Sequence, residues 1–158
     1  MEYSDEKHQH LPEQRPGSTG GSGLDTKLIL STMLAKDNFS AWLGIIIDEY
    51  REGYCRLHYT IRQDMLNGHS IVHGGIIFSC ADSAFAFACN SQGRVSLALD
   101  VHTTFIKGAK AGEVMMVEAT EIHTGNKISF YNVTTTNEAG GIVSVFKGTA
   151  YRTEKTVY

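Results

Sequence analysis

The sequence lacks the features that mark membrane, secreted or nucleic-acid-binding proteins. No apolar run approaches the ~20 residues that span a bilayer. The N-terminus carries Glu2, Asp5 and Glu6 and has no apolar segment of the kind found in secretory signals. A formal net charge of −3 provides no basic field for nucleic acid. We therefore expect neither a membrane nor a nucleic acid as a partner.

Cysteine is scarce and shows no pairing pattern. The chain has three cysteines, Cys55, Cys80 and Cys89, an odd number without CxxC spacing. This usage predicts reduced thiols and fits a cytoplasmic location. The histidines form no HExxH motif and no Cys/His ligand spacing, so we expect no metal ion.

At 158 residues the chain has the length of one domain, and it contains no internal repeat. Residues 1–23 are polar and end in PGSTGGSG, the composition of a flexible linker. We expect them to form a tail, either a natural arm or an expression remnant. The predicted domain covers residues 24–152, and residues 153–158 are expected to be a C-terminal tail.

The first half of the domain predicts a short helix, a strand pair and a long helix. Asp25 is suited to cap an amphipathic helix that follows it. Residues 41–49 and 54–61 read as a hairpin of strands. Residues 74–90 form a nearly apolar stretch, interrupted by Asp82 and two serines. A helix with so little polar surface must be buried.

The second half predicts four strands over residues 95–106, 114–122, 128–136 and 142–151. The first of these alternates, with Leu97, Leu99 and Val101 expected on one face and Asp100 and His102 on the other. Six antiparallel strands wrapped around one long central helix would explain why that helix lacks a solvent face. This α+β arrangement is the hotdog fold, although composition alone does not select it over other α+β folds.

The segment MLNGHSIVHGGIIFSCADSAFAF, residues 65–87, carries a spaced motif. Asn67 is followed after six residues by His73-Gly74, and Asp82 comes nine residues after the histidine. The segment resembles the PaaI-type hotdog acyl-CoA thioesterases, an enzyme family named for phenylacetic acid degradation. The resemblance extends over about residues 24–152.

The resemblance implies hydrolysis of acyl-CoA thioesters, including the aryl- or phenylacetyl-CoA type, to free acid and CoA. It implies a site shared between two subunits of a homodimer or homotetramer, and no cofactor, because CoA is part of the substrate. By position, Asp82 is the base or nucleophile, the Gly74 N–H polarises the thioester carbonyl, Asn67 places the water or the carboxylate, and His73 supports the loop.

Elementary chemistry agrees with this assignment. Glycine lets a carbonyl approach the backbone closely, and the start of a helix offers unpaired N–H donors. An unpaired buried carboxylate such as Asp82 needs a partner or a cleft. Each of these residues also has a structural interpretation. Gly74-Gly75 would pack tightly against a strand, and Asp82 would bond to Ser79. His73 would be a structural residue of the loop, and Asn67 would belong to a turn.

Further substrate contacts are expected from Gly75, from Asp100 and His102 toward the acyl end, and from Lys107 and Lys127 toward the CoA phosphates. Lys107-Gly108 stands where the family often has Arg-Pro, so the phosphate contacts are the least determined. Arg152 is a further candidate phosphate contact, and an ordinary solvated surface charge is an equally good interpretation of each of the three cations.

Two other functions remain open at this point. One is an acyl-thioester dehydratase or hydratase on the same fold, although the chain lacks the Pro-rich loop that those enzymes carry after their histidine. The other is a non-catalytic acyl-CoA-binding module, which the presence of Asn67 and Asp82 disfavours. The sequence leaves the acyl group undetermined, and it does not distinguish water activation from an anhydride intermediate.

Overall fold

A computed structural model describes residues 25–158 of the chain. It contains three α-helices, a 3-10 turn at Gln63–Met65 and six strands, in the order α1, α2, β1, β2, α3, β3 to β6. The bounds are α1 Thr26–Leu34, α2 Asn38–Leu43, β1 Ile46–Arg51, β2 Tyr54–Thr60, α3 Gly74–Asn90, β3 Arg94–Phe105, β4 Val114–Thr124, β5 Ile128–Asn137 and β6 Ile142–Thr156. The predicted tail, residues 1–23, lies outside the described residues.

All six strands belong to one antiparallel sheet with the order β1-β2-β4-β5-β6-β3. The sheet curves around α3, whose bounds are those predicted from its apolar composition. Inward-facing side chains of β2, β4, β5 and β6 pack on the helix to form one core that includes Leu57, Tyr59, Val117, Tyr131 and Phe146. This is the hotdog fold, as predicted.

The segment before β1 differs from the prediction, which assigned residues 41–49 to a strand. Residues 38–43 form the short helix α2 instead. The carboxylate of Asp37 caps its start by accepting the Ser40 N–H at 2.9 Å. Gly44 ends it in the left-handed conformation with φ of 73°, which glycine adopts without strain. These two local signals outweigh the β-branched run that follows.

Strand β3 lies at an edge of the sheet and departs from simple alternation. Its register against β6 shifts between Ala98 and Asp100. The bulge leaves Leu97 and Leu99 58% and 62% exposed, whereas Val101 packs against the core. The expectation that these three apolar residues share one face is therefore wrong.

Strand β6 is longer than predicted. It runs to Thr156, because its last residues pair with the start of β3 through Arg94 and Thr156. Residues 153–156 therefore belong to the sheet and not to a C-terminal tail. Within residues 25–158, no helix is long and apolar enough to cross a membrane.

Candidate active site

The start of α3 is built around His73. The His73 side chain caps the helix, with Nδ1 accepting the Gly75 N–H at 2.9 Å. This contact requires the ring proton to be on Nε2. The His73 carbonyl accepts the N–H of Ile76 at 2.9 Å. The Gly74 N–H, in contrast, has no hydrogen-bond partner in the part of the chain that the structure describes. It is an available donor at the positive end of a 17-residue helix.

The neighbourhood of Gly74 leaves little room for a side chain. A Cβ built on this glycine would lie 3.3 Å from the ring of Phe105, at the end of β3. Glycine therefore keeps the N–H within reach of a second group and lets β3 close against the helix. The prediction that Gly74 presents its backbone to a ligand is consistent with this geometry.

The loop before α3 is ordered by Asn67. Its Oδ1 accepts the N–H of His69 at 2.8 Å and that of Ile71 at 3.4 Å. The Asn67 N–H donates to the Ile71 carbonyl at 2.8 Å, which closes the loop. The side-chain amide nitrogen has no partner among residues 25–158, so it remains a free donor. The structural and the functional interpretation of Asn67 are therefore compatible. Its Oδ1 orders the turn, and its Nδ2 can donate a hydrogen bond to a ligand.

Two cavities flank the segment His73-Gly74-Gly75. The first, of about 240 Å³, lies toward the end of β3 and is lined by Asn67, Gly74, Phe105 and Lys107, among others. It brings together three of the predicted site residues, and two of them, Asn67 in the loop and Gly74 at the helix start, carry free N–H donors. We call it the lysine-side cavity.

The second cavity, of about 380 Å³, lies toward α2. Phe39 and Trp42 of α2 line it, together with His73, Gly75 and Ser79. We call it the aromatic cavity. The α2 residues of this cavity were not predicted as site residues, because the β-branched run predicts a strand over residues 41–49. The Asp37 cap and Gly44 are the signals that reveal the helix.

Asp82 lies on a stripe of α3 that is not fully buried and that also carries Gly75, Ser79 and Ala86. Its carboxylate accepts no hydrogen bond within residues 25–158, so the alternative contact with Ser79 is not formed. Burial raises the pKa of Asp82 above its ordinary value of 3.8. A partly desolvated carboxylate without a partner is a stronger base than one in water.

Asp82 and Gly74 lie eight residues apart on one helix. At 1.5 Å per residue their Cα atoms are separated by ~12 Å along the axis. Side chain and N–H of the same chain therefore do not reach one carbonyl group. In each copy of the chain, Asn67, His73 and Gly74 therefore lie at the start of α3, whereas Asp82 lies apart from them along the helix.

The structure does not bring the remaining predicted residues to this site. Asp100 and His102 pair with Thr149 and Lys147 on the outer face of the sheet, away from α3. Lys127 forms an ion pair with Glu154 at 3.3 Å. Its backbone carbonyl accepts the N–H of Arg152, whose side chain bonds to Gln92, so it lies near the end of α3 opposite to Gly74. Their contacts with substrate stay predictions.

Arg152 is not a surface charge. It is buried, and its guanidinium donates to the carbonyl of Gly125 and to Gln92 Oε1, both at 2.8 Å. It therefore joins the turn after α3 to the turn between β4 and β5, and both interpretations offered by the sequence, a phosphate contact and a solvated surface charge, disagree with this burial.

The cysteines are core residues. Cys55, Cys80 and Cys89 are free and buried, and burial raises the pKa of each thiol to about 12. They are therefore inert as nucleophiles. In residues 25–158 no three His, Cys, Asp or Glu side chains group in a way that would hold a metal ion.

Comparison with known proteins supports one family. The family model of the thioesterase superfamily matches residues 69–144 of the chain. Over 125 residues the chain is 35% identical to acyl-coenzyme A thioesterase PaaI of Escherichia coli, covering 79% of this chain and 89% of that protein. A putative esterase of Archaeoglobus fulgidus is 40% identical over 120 residues, 76% of this chain and 78% of the relative.

Solved structures agree. The PaaI protein of E. coli superimposes with a TM-score of 0.81 at 34% identity, covering 83% of this chain and 95% of that one. A mutant of the phenylacetic acid degradation protein PaaI from Thermus thermophilus gives 0.72 at 31% identity, covering 74% of this chain and 100% of the other. The chain therefore belongs to the PaaI-type thioesterases of the thioesterase superfamily.

Proposed function

We propose that this protein hydrolyses acyl-CoA thioesters to free acid and CoA, with Asp82 as general base or nucleophile and the Gly74 N–H polarising the thioester carbonyl. Family membership supports the reaction. One observation supports these residues. Within residues 25–158, the Gly74 N–H at the start of α3 and the partly desolvated Asp82 carboxylate on the same helix both lack a hydrogen-bond partner.

The reaction follows from these groups. The thioester oxygen accepts a hydrogen bond from Gly74, which stabilises the negative charge that develops on it. The free amide of Asn67 orients either the attacking water or the Asp82 carboxylate. On the first route Asp82 removes a proton from the water as its oxygen attacks the carbonyl carbon; the C–S bond then breaks, and Asp82 returns the proton to the departing CoA thiolate. On the second route Asp82 attacks the carbonyl carbon itself, CoA leaves as the thiolate and takes a proton from water, and water hydrolyses the resulting anhydride to free the acid and Asp82. His73 holds the helix start in place.

The ~12 Å separation along α3 supports a site made by two chains, with Gly74 of one protomer facing Asp82 of another. The edge strand β3 offers the pairing surface. Among the strands of residues 25–158 it pairs with β6 alone, and it exposes Leu97, Leu99 and Phe105. An uncovered edge strand of this kind promotes aggregation, because its unpaired N–H and C=O groups can pair with other chains. We propose a homodimer, assembled further into a tetramer, and light scattering that finds an active monomer at micromolar concentration would contradict it.

A complementation experiment tests the shared site. Asp82→Asn and Gly74→Ala are each expected to be nearly inactive as homo-oligomers. In a mixed dimer one site carries both changes and the other carries none. After subunit exchange of equal amounts, about a quarter of the wild-type sites are restored. A mixture that stays as inactive as its parents would place the whole site within one chain.

The reaction itself is tested by release of free thiol from a panel of acyl-CoAs. A dehydratase or a binding module releases none, so the same assay separates the alternatives. A cytoplasmic location is supported by the three free, buried cysteines. A role in phenylacetic acid degradation is supported by the operon named for the E. coli relative.

A further inference from the structure

The loop before α3 contains the single Asn-Gly pair of the sequence, Asn67-Gly68. In such a pair the backbone nitrogen of the glycine can attack the side-chain amide carbon of the asparagine and close a cyclic imide, a succinimide. The attack is intramolecular, and glycine has no Cβ to obstruct it. Gly68 is exposed, and even a Cβ built on it would meet nothing within 4 Å. The surroundings of the pair therefore leave room for this reaction.

The reacting groups are free or activated in the folded chain. The Gly68 N–H, which would attack, has no hydrogen-bond partner within residues 25–158. The Asn67 Oδ1 accepts the N–H of His69 at 2.8 Å and that of Ile71 at 3.4 Å. Donors at this oxygen stabilise the negative charge that develops on it when the amide carbon is attacked. The Asn67 Nδ2 has no partner in the same part of the chain, so no hydrogen bond retains the leaving group.

Asn137, in the turn between β5 and β6, occupies the same kind of turn as Asn67. Each asparagine donates its backbone N–H to the carbonyl four residues on, at 2.8 Å for Asn67 and 3.0 Å for Asn137. Each also accepts the N–H three residues on at its carbonyl and the N–H four residues on at its Oδ1. The residue that follows differs, because it is Gly68 in the first turn and Glu138 in the second. Glu138 carries a Cβ, so Asn137 is the internal control for the effect of glycine.

We propose that Asn67 is a site of spontaneous deamidation. The Gly68 nitrogen bonds to the Asn67 Cγ and gives up its proton, the Cγ–Nδ2 bond breaks, and the amide nitrogen leaves with that proton as ammonia. Water then opens the succinimide at either carbonyl. One opening gives aspartate, and the other gives isoaspartate, in which the backbone runs through the former side chain. Asn67 lines the lysine-side cavity on the surface, so water reaches the ring.

Either product would disable the catalytic site, and this consequence rests on the proposed function. Aspartate loses the amide donor and places a carboxylate in the cavity that Gly74 and Lys107 also line. A negative charge there repels the carboxylate of Asp82 from the facing protomer. Isoaspartate adds a carbon atom to the backbone of the loop, which is joined to the start of α3 by the bond from the His73 N–H to the Met65 carbonyl at 2.9 Å. Activity should therefore decline as the protein ages.

The first experiment measures the modification and does not depend on turnover. The full chain is incubated in mildly alkaline buffer, and its peptides are compared with those of an unincubated sample by mass spectrometry and by enzymatic methylation of isoaspartate. The Asn67 peptide should gain the mass shift of deamidation and isoaspartate, whereas the Asn137 peptide should not. The modification should be lost in Gly68→Ala and should appear at Asn137 in Glu138→Gly. An unmodified Asn67, its modification in Gly68→Ala, or an unmodified Asn137 in Glu138→Gly would overturn the proposal.

The second experiment measures the effect on the catalytic site. Thiol release by the wild-type protein should fall in proportion to the modified fraction of Asn67, whereas Gly68→Ala should keep its activity over the same incubation. Equal losses in the two proteins, or full activity of the modified wild type, would overturn the proposed consequence. If neither protein hydrolyses any acyl-CoA, the proposed function fails, and the mass measurement still decides whether Asn67 deamidates.

Discussion

Replacing Asp82 by asparagine tests the proposed chemistry most directly. The side chain keeps its size and lies on the half-buried stripe of α3, where it has no hydrogen bond to lose within the described chain. The change removes only the negative charge that a base or nucleophile needs. Loss of general-base function lowers rates by ~10²–10⁴, which corresponds to about 3–5 kcal/mol of barrier. We expect a loss of kcat in this range.

The pH dependence of the same variant adds a second measure. Burial raises the pKa of Asp82 above 3.8, so the folded state holds the proton more tightly than the unfolded state does. Its contribution to stability is therefore present below the unfolded pKa and is lost as pH rises through the folded pKa. At neutral pH the carboxylate opposes folding, and the asparagine variant should melt at an equal or higher temperature. The two proteins should converge as pH falls toward 3.8.

The assay is thiol release from acyl-CoA, with circular dichroism and thermal melts on the same samples. Wild-type activity should fall as pH drops through the raised pKa of Asp82, and the residual activity of the variant should lack that inflection. Glu138→Gln, an exposed carboxylate in the β5–β6 turn, is the matched control and should change neither rate nor melt. A folded Asp82→Asn protein with near wild-type turnover would refute the mechanism, and an unfolded one would show that Asp82 is structural.

Three further predictions concern the loop, the helix start and the tail. Asn67→Ala should lower kcat/KM by about ten- to a hundredfold, less than Asp82→Asn, because Asn67 positions groups without bearing the charge. Gly74→Ala should abolish most turnover, whereas Gly68→Ala, with nothing within 4 Å of the added carbon, should not. Deleting residues 1–23 should leave both turnover and melting temperature unchanged, because the segment has few apolar residues to dock; a clear loss of either would assign it a role.

Local signals explain which parts of the fold were predictable. The bounds of α3 follow from composition, since an apolar stretch flanked by His73 and by the stop around Gly93 has one reasonable helical interpretation. The alternation of β2 predicted its buried face correctly, with Cys55, Leu57 and Tyr59 inward. In these segments the residues themselves carry the periodicity that the tertiary structure then uses.

The predictions of secondary structure were wrong where an element is short or where its conformation depends on a contact with a residue distant in the sequence. A six-residue helix such as α2 has too few turns to show a period. The bulge in β3 is set by pairing with β6, which no local pattern encodes. The extension of β6 to Thr156 likewise depends on β3 as its partner.

The sequence by itself determined the hotdog fold, the family and the motif residues Asn67, His73, Gly74 and Asp82. Their identities and spacing are properties of one continuous segment. Only the tertiary structure decided which of them have free donors or acceptors, and that Gly74 and Asp82 of one chain lie too far apart to act together. It also placed α2 against α3 through the bond from Ser40 to Ser83, 43 residues apart. Long-range packing of this kind forms the cavities, because their walls come from elements that meet only in the folded chain.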